Sequence, residues 1–110
     1  MHDDTWTDAE KKVARRAFET ARQAVLAGTF AEFKAKTAAA TTIDDMWALG
    51  DALQQRRREL DELFDYRYSQ LTLVFGRFIL EGHLDETQLT GLSENKMQEI
   101  RRYMSFMRRS

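Results

Sequence analysis

Residues 71–80 have the sequence LTLVFGRFIL, which is apolar on nearly every side of a helix. A helix that is hydrophobic all round must be covered by other elements. This segment therefore predicts the centre of a compact helical head. After it, Gly82 suits a left-handed helix C-terminus, Asp85 begins a short helical turn, and Ser93 begins a last helix. That last helix aligns four apolar side chains on one side, namely Met97, Ile100, Met104 and Met107.

Two long helices are predicted before this head. Thr7 and Glu10 have the spacing of a capping box, which begins the first helix. Its buried face is expected to contain Ala14, Phe18, Ala21 and Val25. Thr42 caps the second helix, which we expect to run from Ile43 to about Tyr68, with one apolar stripe facing the helical core. That stripe consists of Met46, Leu49, Leu53, Leu60 and Leu63.

The composition also favours helices. The 110-residue chain has no proline and only five glycines, and good helix formers fill most positions. We predict an all-α protein in which two long N-terminal helices precede a compact helical head, and we expect a homodimer because so short a chain buries only a modest core. The expected parts are a flexible N-terminus (1–6), a helical arm and dimerisation region (7–68) and the head (69–110), within one structural domain.

Charge and cysteine content narrow the possible partners. The chain has no cysteine, which excludes disulfides, thiolate zinc sites and a cysteine nucleophile. Its 17 basic and 18 acidic residues nearly cancel, so the net charge offers little attraction to nucleic acid. We find no secretory signal and no apolar stretch of membrane-spanning length. We therefore expect a cytoplasmic protein that neither binds nucleic acid nor inserts into a membrane.

The sequence contains no recognisable catalytic or metal-binding pattern. His2 and His83 are far apart, and the five glycines are isolated, so no metal-ligand spacing or phosphate loop is present. Residues 56–62, RRRELDE, resemble a segment of the helical chorismate mutases, which makes a small helical enzyme a remote alternative. The acidic residues here are ordinary pairing partners for neighbouring arginines, which favours a solvated helix surface. We predict no catalytic residue, no metal and no cofactor.

A second stripe on the second helix favours self-association. This Trp47 stripe comprises Trp47, Asp51, Gln54, Arg57, Arg58 and Asp61. If two copies cross antiparallel about a twofold axis near Gln54, Asp51 of each chain lies opposite Arg57 of the other. The same arrangement buries Trp47, and tryptophan and arginine dominate interface energies. The alternative is that Trp47 packs on the first helix of its own chain while Arg57 is solvated.

These residues resemble the fluorescence recovery protein family of cyanobacteria. The similarity includes IDDMWALGD at 43–51, DYRYS at 65–69, and the pairs Val74-Phe75 and Glu81-Gly82. It extends from Trp6 to Lys96. It implies an all-α dimer with elongated helical arms and a compact helical head. It also implies that the protein has no cofactor and that its client is the photoactivated orange carotenoid protein. Binding to that protein's C-terminal domain would speed its return to the orange form and favour its release from the thylakoid-bound phycobilisome, ending photoprotective quenching.

The resemblance also implies roles for individual residues. The family's interface tryptophan, its aspartate and the arginine that pairs across the dimer correspond to Trp47, Asp51 and Arg57. Gly50 stands where the family can carry a histidine, Leu73 where it has a phenylalanine implicated in partner action, and Glu99 where it has a basic residue. We expect the client-binding residues to be Leu73, Phe75, Lys96 and Glu99. A diverged member that serves a different partner is the alternative.

Overall fold

The computed structural model describes residues 5–109. Its elements are α1 (Asp8–Ala39), α2 (Ile43–Leu63), α3 (Leu71–Leu80), a short 3-10 helix (Glu86–Leu89) and α4 (Glu94–Arg108). No β-strand occurs in this part of the chain, so the predicted all-α fold is confirmed. None of the described helices is both long and apolar enough to cross a bilayer.

The starts of the helices follow from local capping. The Thr7 hydroxyl accepts a hydrogen bond from the Glu10 N–H at 3.1 Å, and the Thr7 N–H donates to the Glu10 carboxylate at 3.0 Å. Thr42 and Asp45 form the same reciprocal pair at the start of α2. The Ser93 hydroxyl caps α4. Because each pair satisfies N–H groups that the first helical turn leaves free, the predicted starts are confirmed.

The end of α2 differs from the prediction. The helix ends at Leu63 rather than near Tyr68, and the backbone of Phe64 leaves the helical conformation. The aromatic link that follows packs on α1, where the Phe18 ring lies edge-on to Tyr66 with centroids 4.9 Å apart. Such aromatic contacts are worth about 0.5–1.5 kcal/mol beyond area burial, which favours leaving the helix here.

The core of the head joins α1 to α3 and α4. Phe75 and Phe78 of α3 are fully buried, and Phe78 contacts Phe18 with ring centroids 5.7 Å apart. Gly76 permits the close approach of α4, since a Cβ there would lie 3.3 Å from Met104 Cγ. The predicted apolar faces are confirmed by burial of Ala14, Phe18, Ala21, Val25, Met97, Ile100 and Met104.

Trp6 belongs to this core, which corrects the prediction of a flexible N-terminus over residues 1–6. Residues 1–4 lie outside the described residues. Trp6 is buried, its ring centroid lies 5.5 Å from that of Tyr68, and the Lys96 ammonium lies 4.9 Å from the indole. Ring burial and this cation–π contact hold the segment before α1 against the head. The N-terminal half of α1 is therefore part of the head in space, although it precedes residue 69.

The arm consists of the C-terminal half of α1 and most of α2, which turns back along α1. The chain measures 59 × 29 × 21 Å along its principal axes, so it is elongated. Leu63 is buried at the head end of the arm, but Met46 is 42 % and Leu53 48 % exposed. The prediction that this whole stripe faces the core is wrong for a single chain, because along the arm α2 packs against α1 alone, and one neighbouring helix does not cover every position of the stripe.

Candidate functional site

The Trp47 stripe lies on the outer surface of the arm. Trp47 is 65 % exposed, and the other five residues of the stripe are also exposed. The alternative in which Trp47 packs on α1 of its own chain is therefore wrong. Within residues 5–109, neither the Asp51 carboxylate nor the Arg57 guanidinium forms an ion pair or hydrogen bond. The stripe thus presents a large aromatic ring and two opposite charges that have no partner in the described chain.

Exposed apolar side chains surround the stripe. They are Ile43, Met46 and Leu53, all on α2. Single exposed apolar residues are common, but several large ones beside an exposed tryptophan are typical of protein-binding surfaces. Charged residues of both signs lie among them, as at the rim of a protein interface. The arm is therefore a candidate protein-binding surface.

An ion pair between the two arm helices positions this surface. Arg56 of α2 donates to both carboxylate oxygens of Glu32 in α1, at 2.8 and 3.1 Å. Lys36 reaches the same carboxylate at 2.8 Å, and the Arg56 guanidinium lies 5.5 Å from the Phe33 ring centroid. A bidentate arginine–carboxylate pair fixes geometry as well as charge. Local spacing predicts only nearby acidic partners for these arginines, so this contact between helices was not predicted from the sequence.

Replacing Glu32 by Gln is expected to lower the melting temperature at neutral pH but much less in acid. The hydrogen bonds from Arg56 and then Lys36 lower the pKa of Glu32 to about 2. Because the folded-state pKa is depressed, this stabilisation is complete above the ordinary pKa of 4.5 and is lost as the pH falls towards 2. Thermal unfolding followed by circular dichroism at about pH 7 and about pH 3 measures the effect.

Glu62→Gln is the matched control for Glu32. Glu62 is exposed on α2 and forms no ion pair within the described chain. We expect this control to unfold like the unmodified protein at both pH values, because an exposed, unpaired carboxylate contributes little to stability. A Glu32→Gln deficit of equal size at both pH values would contradict the assigned role of the ion pair.

Two of the four predicted client-binding residues are accessible in the head. Leu73 and Glu99 are both half-buried. The Glu99 carboxylate accepts a hydrogen bond from the Thr72 hydroxyl at 2.7 Å, which joins α3 to α4 and holds this carboxylate in place. Phe75 is 0 % exposed. The prediction that Phe75 contacts a client directly is therefore wrong, because its ring fills the head core.

The fourth residue, Lys96, is engaged within the head. Its ammonium donates to the Thr5 carbonyl at 2.9 Å and to the Glu10 carboxylate at 3.2 Å, and its side chain is largely buried. The client contact at Lys96 stays a prediction, and these intramolecular partners would compete for its charge.

Glu10 joins the start of α1 to the start of α4. Besides Lys96, its carboxylate accepts hydrogen bonds from the Thr7 N–H and, at 2.9 Å, from the Ser93 N–H. Burial alone would raise the pKa of Glu10, but these N–H groups and the ammonium together lower it below its usual value. A carboxylate held in this way acts as a structural connection across the head.

The remaining polar residues do not gather into a buried cluster. An active site of chorismate mutase type would need several arginines to converge in one water-free pocket. Here Arg56 is bonded to Glu32, whereas Arg57 and Arg58 are exposed to solvent. His2 lies outside the described residues, and His83 lies 3.7 Å from the carboxylate of Glu81. In the described range, no group of three or more histidine, cysteine or acidic residues has metal-binding geometry.

Comparison with known proteins shows the family of this chain. Residues 6–104 match the family described as photoprotection regulator fluorescence recovery protein. The chain is 35 % identical over 96 residues to the fluorescence recovery protein of Synechocystis sp. PCC 6803, covering 87 % of this chain and 88 % of that protein. These descriptions name a regulator and not an enzyme.

Solved structures agree with this match. The fluorescence recovery protein from Synechocystis sp. PCC 6803 is 34 % identical with a TM-score of 0.85, and the alignment covers 92 % of this chain and 99 % of that one. The protein from Fremyella diplosiphon is 30 % identical with a TM-score of 0.85 and the same coverage. Sequence and fold thus agree over both the arm and the head, and the chain belongs to the fluorescence recovery protein family of photoprotection regulators.

Proposed function

We propose that this chain is a non-enzymatic, cytoplasmic regulator that binds the active orange carotenoid protein through that protein's C-terminal domain. Binding accelerates the return of the client to its inactive orange form and favours its detachment from the phycobilisome. The family match over residues 6–104 is the observation that carries the proposal. No cofactor of the chain's own takes part.

The proposed working form is a homodimer joined through the Trp47 stripe. An antiparallel crossing near Gln54 places Asp51 of each chain opposite Arg57 of its partner, so a twofold axis forms this ion pair twice. Both groups are exposed and have no intramolecular partner in the described chain. The same crossing covers Trp47 and the apolar residues beside it, which are exposed in a single chain.

The regulator acts on the conformational change of its client rather than by making or breaking a bond. It binds the open, active state, and it binds the transition towards the compact state more tightly still, which makes closure faster. The compact client, whose contact site is less accessible, is then released. Leu73 and Glu99 are the accessible head residues through which we propose that the client is contacted.

Size-exclusion chromatography with the client tests the partner assignment. The chain is mixed with dark-adapted orange carotenoid protein, with the illuminated protein, and with the isolated C-terminal domain. We expect co-elution with the illuminated protein and with the isolated domain, and weaker co-elution with the dark-adapted protein, because closure restricts access to the proposed contact.

The alternative is a member of this family that acts on a different partner. It predicts a normal dimer by light scattering but no co-elution with any of the three client preparations. That outcome would contradict the proposed client while leaving the fold and the family unchanged.

A further inference from the structure

A basic groove lies at the head end of α1, away from the Trp47 stripe. Residues 11–16 have the sequence KKVARR, in which four of six side chains are cationic. All four are exposed. With two tyrosines of the link after α2, they line an open groove of about 430 Å³, formed by Lys11, Lys12, Arg15, Arg16, Tyr66 and Tyr68.

These cations lack carboxylate partners. Within residues 5–109, none of the four forms an ion pair. Three acidic residues flank them on α1. Glu19 is already bonded to Arg22 at 3.3 Å and to Gln23 at 2.9 Å, Glu10 is bonded to Lys96 at 3.2 Å, and Asp8 forms no ion pair within the described residues. Elsewhere in the chain, cations such as Arg56 and Lys96 pair with acidic side chains. The groove thus concentrates positive charge that the described chain does not neutralise.

This concentration does not serve the stability of α1. Lys11 and Arg15, like Lys12 and Arg16, are like charges four residues apart, an arrangement that destabilises a helix slightly. Lys11 and Lys12 also lie at the first turn of α1, where the macrodipole disfavours positive charge. An external anion would remove both penalties.

The tyrosines hold two of the cations in position. The Arg15 guanidinium lies 4.0 Å from the Tyr66 ring centroid, and the Lys11 ammonium lies 5.5 Å from the Tyr68 ring centroid. Cation–π contacts leave the N–H donors at the edge of each charged group available. In the part of the chain that the structure describes, Lys12 and Arg16 have no such contact, so no described group competes with an incoming ligand for their charges.

We infer that this groove binds an acidic segment of a partner protein, with carboxylates at alternate positions of an extended chain. Lys12 and Arg16 are separated by about 6 Å of helical rise. Side chains two residues apart on an extended strand lie on one side with a spacing of about 6.6 Å. Tyrosine and arginine, which line the groove, are common in protein interfaces.

The charge pattern favours a protein segment over other anions. A nucleic-acid site commonly neutralises about 6–10 phosphates, whereas this groove has four cations and the whole chain has a net charge of −1. An anionic membrane surface would also meet Asp8 and Glu19, which flank the cations along α1. The inference depends on the groove alone and not on the identity of the client.

A peptide titration tests the inference without the client. The isotopically labelled full chain is titrated with an acetylated (Glu-Ala)4 peptide at low salt and followed by nuclear magnetic resonance, with (Gln-Ala)4 as the uncharged control peptide. We expect shifts at residues 11–16 and at Tyr66 and Tyr68, and no shifts with the control peptide. Binding should weaken as salt is added, because exposed charges are screened.

The Lys12→Gln/Arg16→Gln variant should bind the acidic peptide about fivefold more weakly, as expected for two exposed charge pairs. The matched control, Arg108→Gln/Arg109→Gln, loses the same charge from exposed positions at the end of α4 and should bind as the unmodified chain does. Absence of shifts, equal weakening in the two variants, or tighter binding to phosphatidylserine vesicles or oligo-dT than to the peptide would overturn the inference.

Discussion

An Arg57→Glu variant is expected to be monomeric at concentrations at which the unmodified chain forms dimers. The change places a second carboxylate opposite Asp51 of the partner, and the proposed twofold axis repeats this repulsion. Like charges that face each other across an interface cost several kcal/mol, so the dimer should weaken by on the order of 4 kcal/mol, or roughly a thousandfold in dissociation constant. Multi-angle light scattering over a dilution series measures this change.

Two control variants make the result specific to the Asp51–Arg57 pair. Arg102→Glu makes the same charge change at an exposed position on α4 and should remain dimeric. The double reversal Asp51→Arg/Arg57→Asp restores opposite charges across the axis and should recover much of the dimer. An Arg57→Glu dimer as tight as that of the unmodified chain would mean that the twofold axis lies elsewhere.

Replacing Glu10 by Ala is expected to be among the most destabilising single changes in the head. It leaves the largely buried Lys96 ammonium without its carboxylate and frees the N–H groups of Thr7 and Ser93. Removing one partner of a buried ion pair costs about 3–5 kcal/mol. For a domain of this size, that loss corresponds to a fall in melting temperature of roughly 10 °C or more, measured by circular dichroism.

Glu19→Ala is the matched control on the same helix. Glu19 is exposed and bonded only to neighbouring side chains of α1, so its loss should change stability by less than about 0.5 kcal/mol. Glu10→Gln keeps the side-chain shape and one acceptor oxygen for the N–H groups, and it should fall between the two alanine variants. If the Glu10→Ala and Glu19→Ala variants had the same melting temperature, Glu10 would not be the connection between α1 and α4.

Features that depend on neighbouring residues were predictable from the sequence. The capping pairs Thr7–Glu10 and Thr42–Asp45 join residues three apart, so their geometry follows from helix formation alone. The apolar segment 71–80 requires covering from several sides whatever the rest of the fold is, and α3 does lie in the core. The stripe combines a tryptophan with charged residues, unlike an ordinary solvated helix face, and Trp47 is indeed exposed in a single chain.

Features that depend on distant residues were not predictable. Arg56 has acidic neighbours on α2, yet its bidentate partner is Glu32, and nothing in either local pattern selects this pair. The burial of Trp6 depends on Tyr68 and Lys96, which are distant in sequence. Phe75 and Lys96 were expected at the client surface, but Phe75 fills the head core, and Lys96 bonds to Thr5 and Glu10 at the start of α1.

The rate of dark recovery of the orange carotenoid protein tests the central proposal most directly. Photoactivated protein is returned to darkness with and without the chain, and the reappearance of the orange absorbance is followed over time. The proposed function predicts recovery that becomes faster as the concentration of the chain increases. Recovery at the same rate at every concentration, together with no complex on size exclusion, would contradict it.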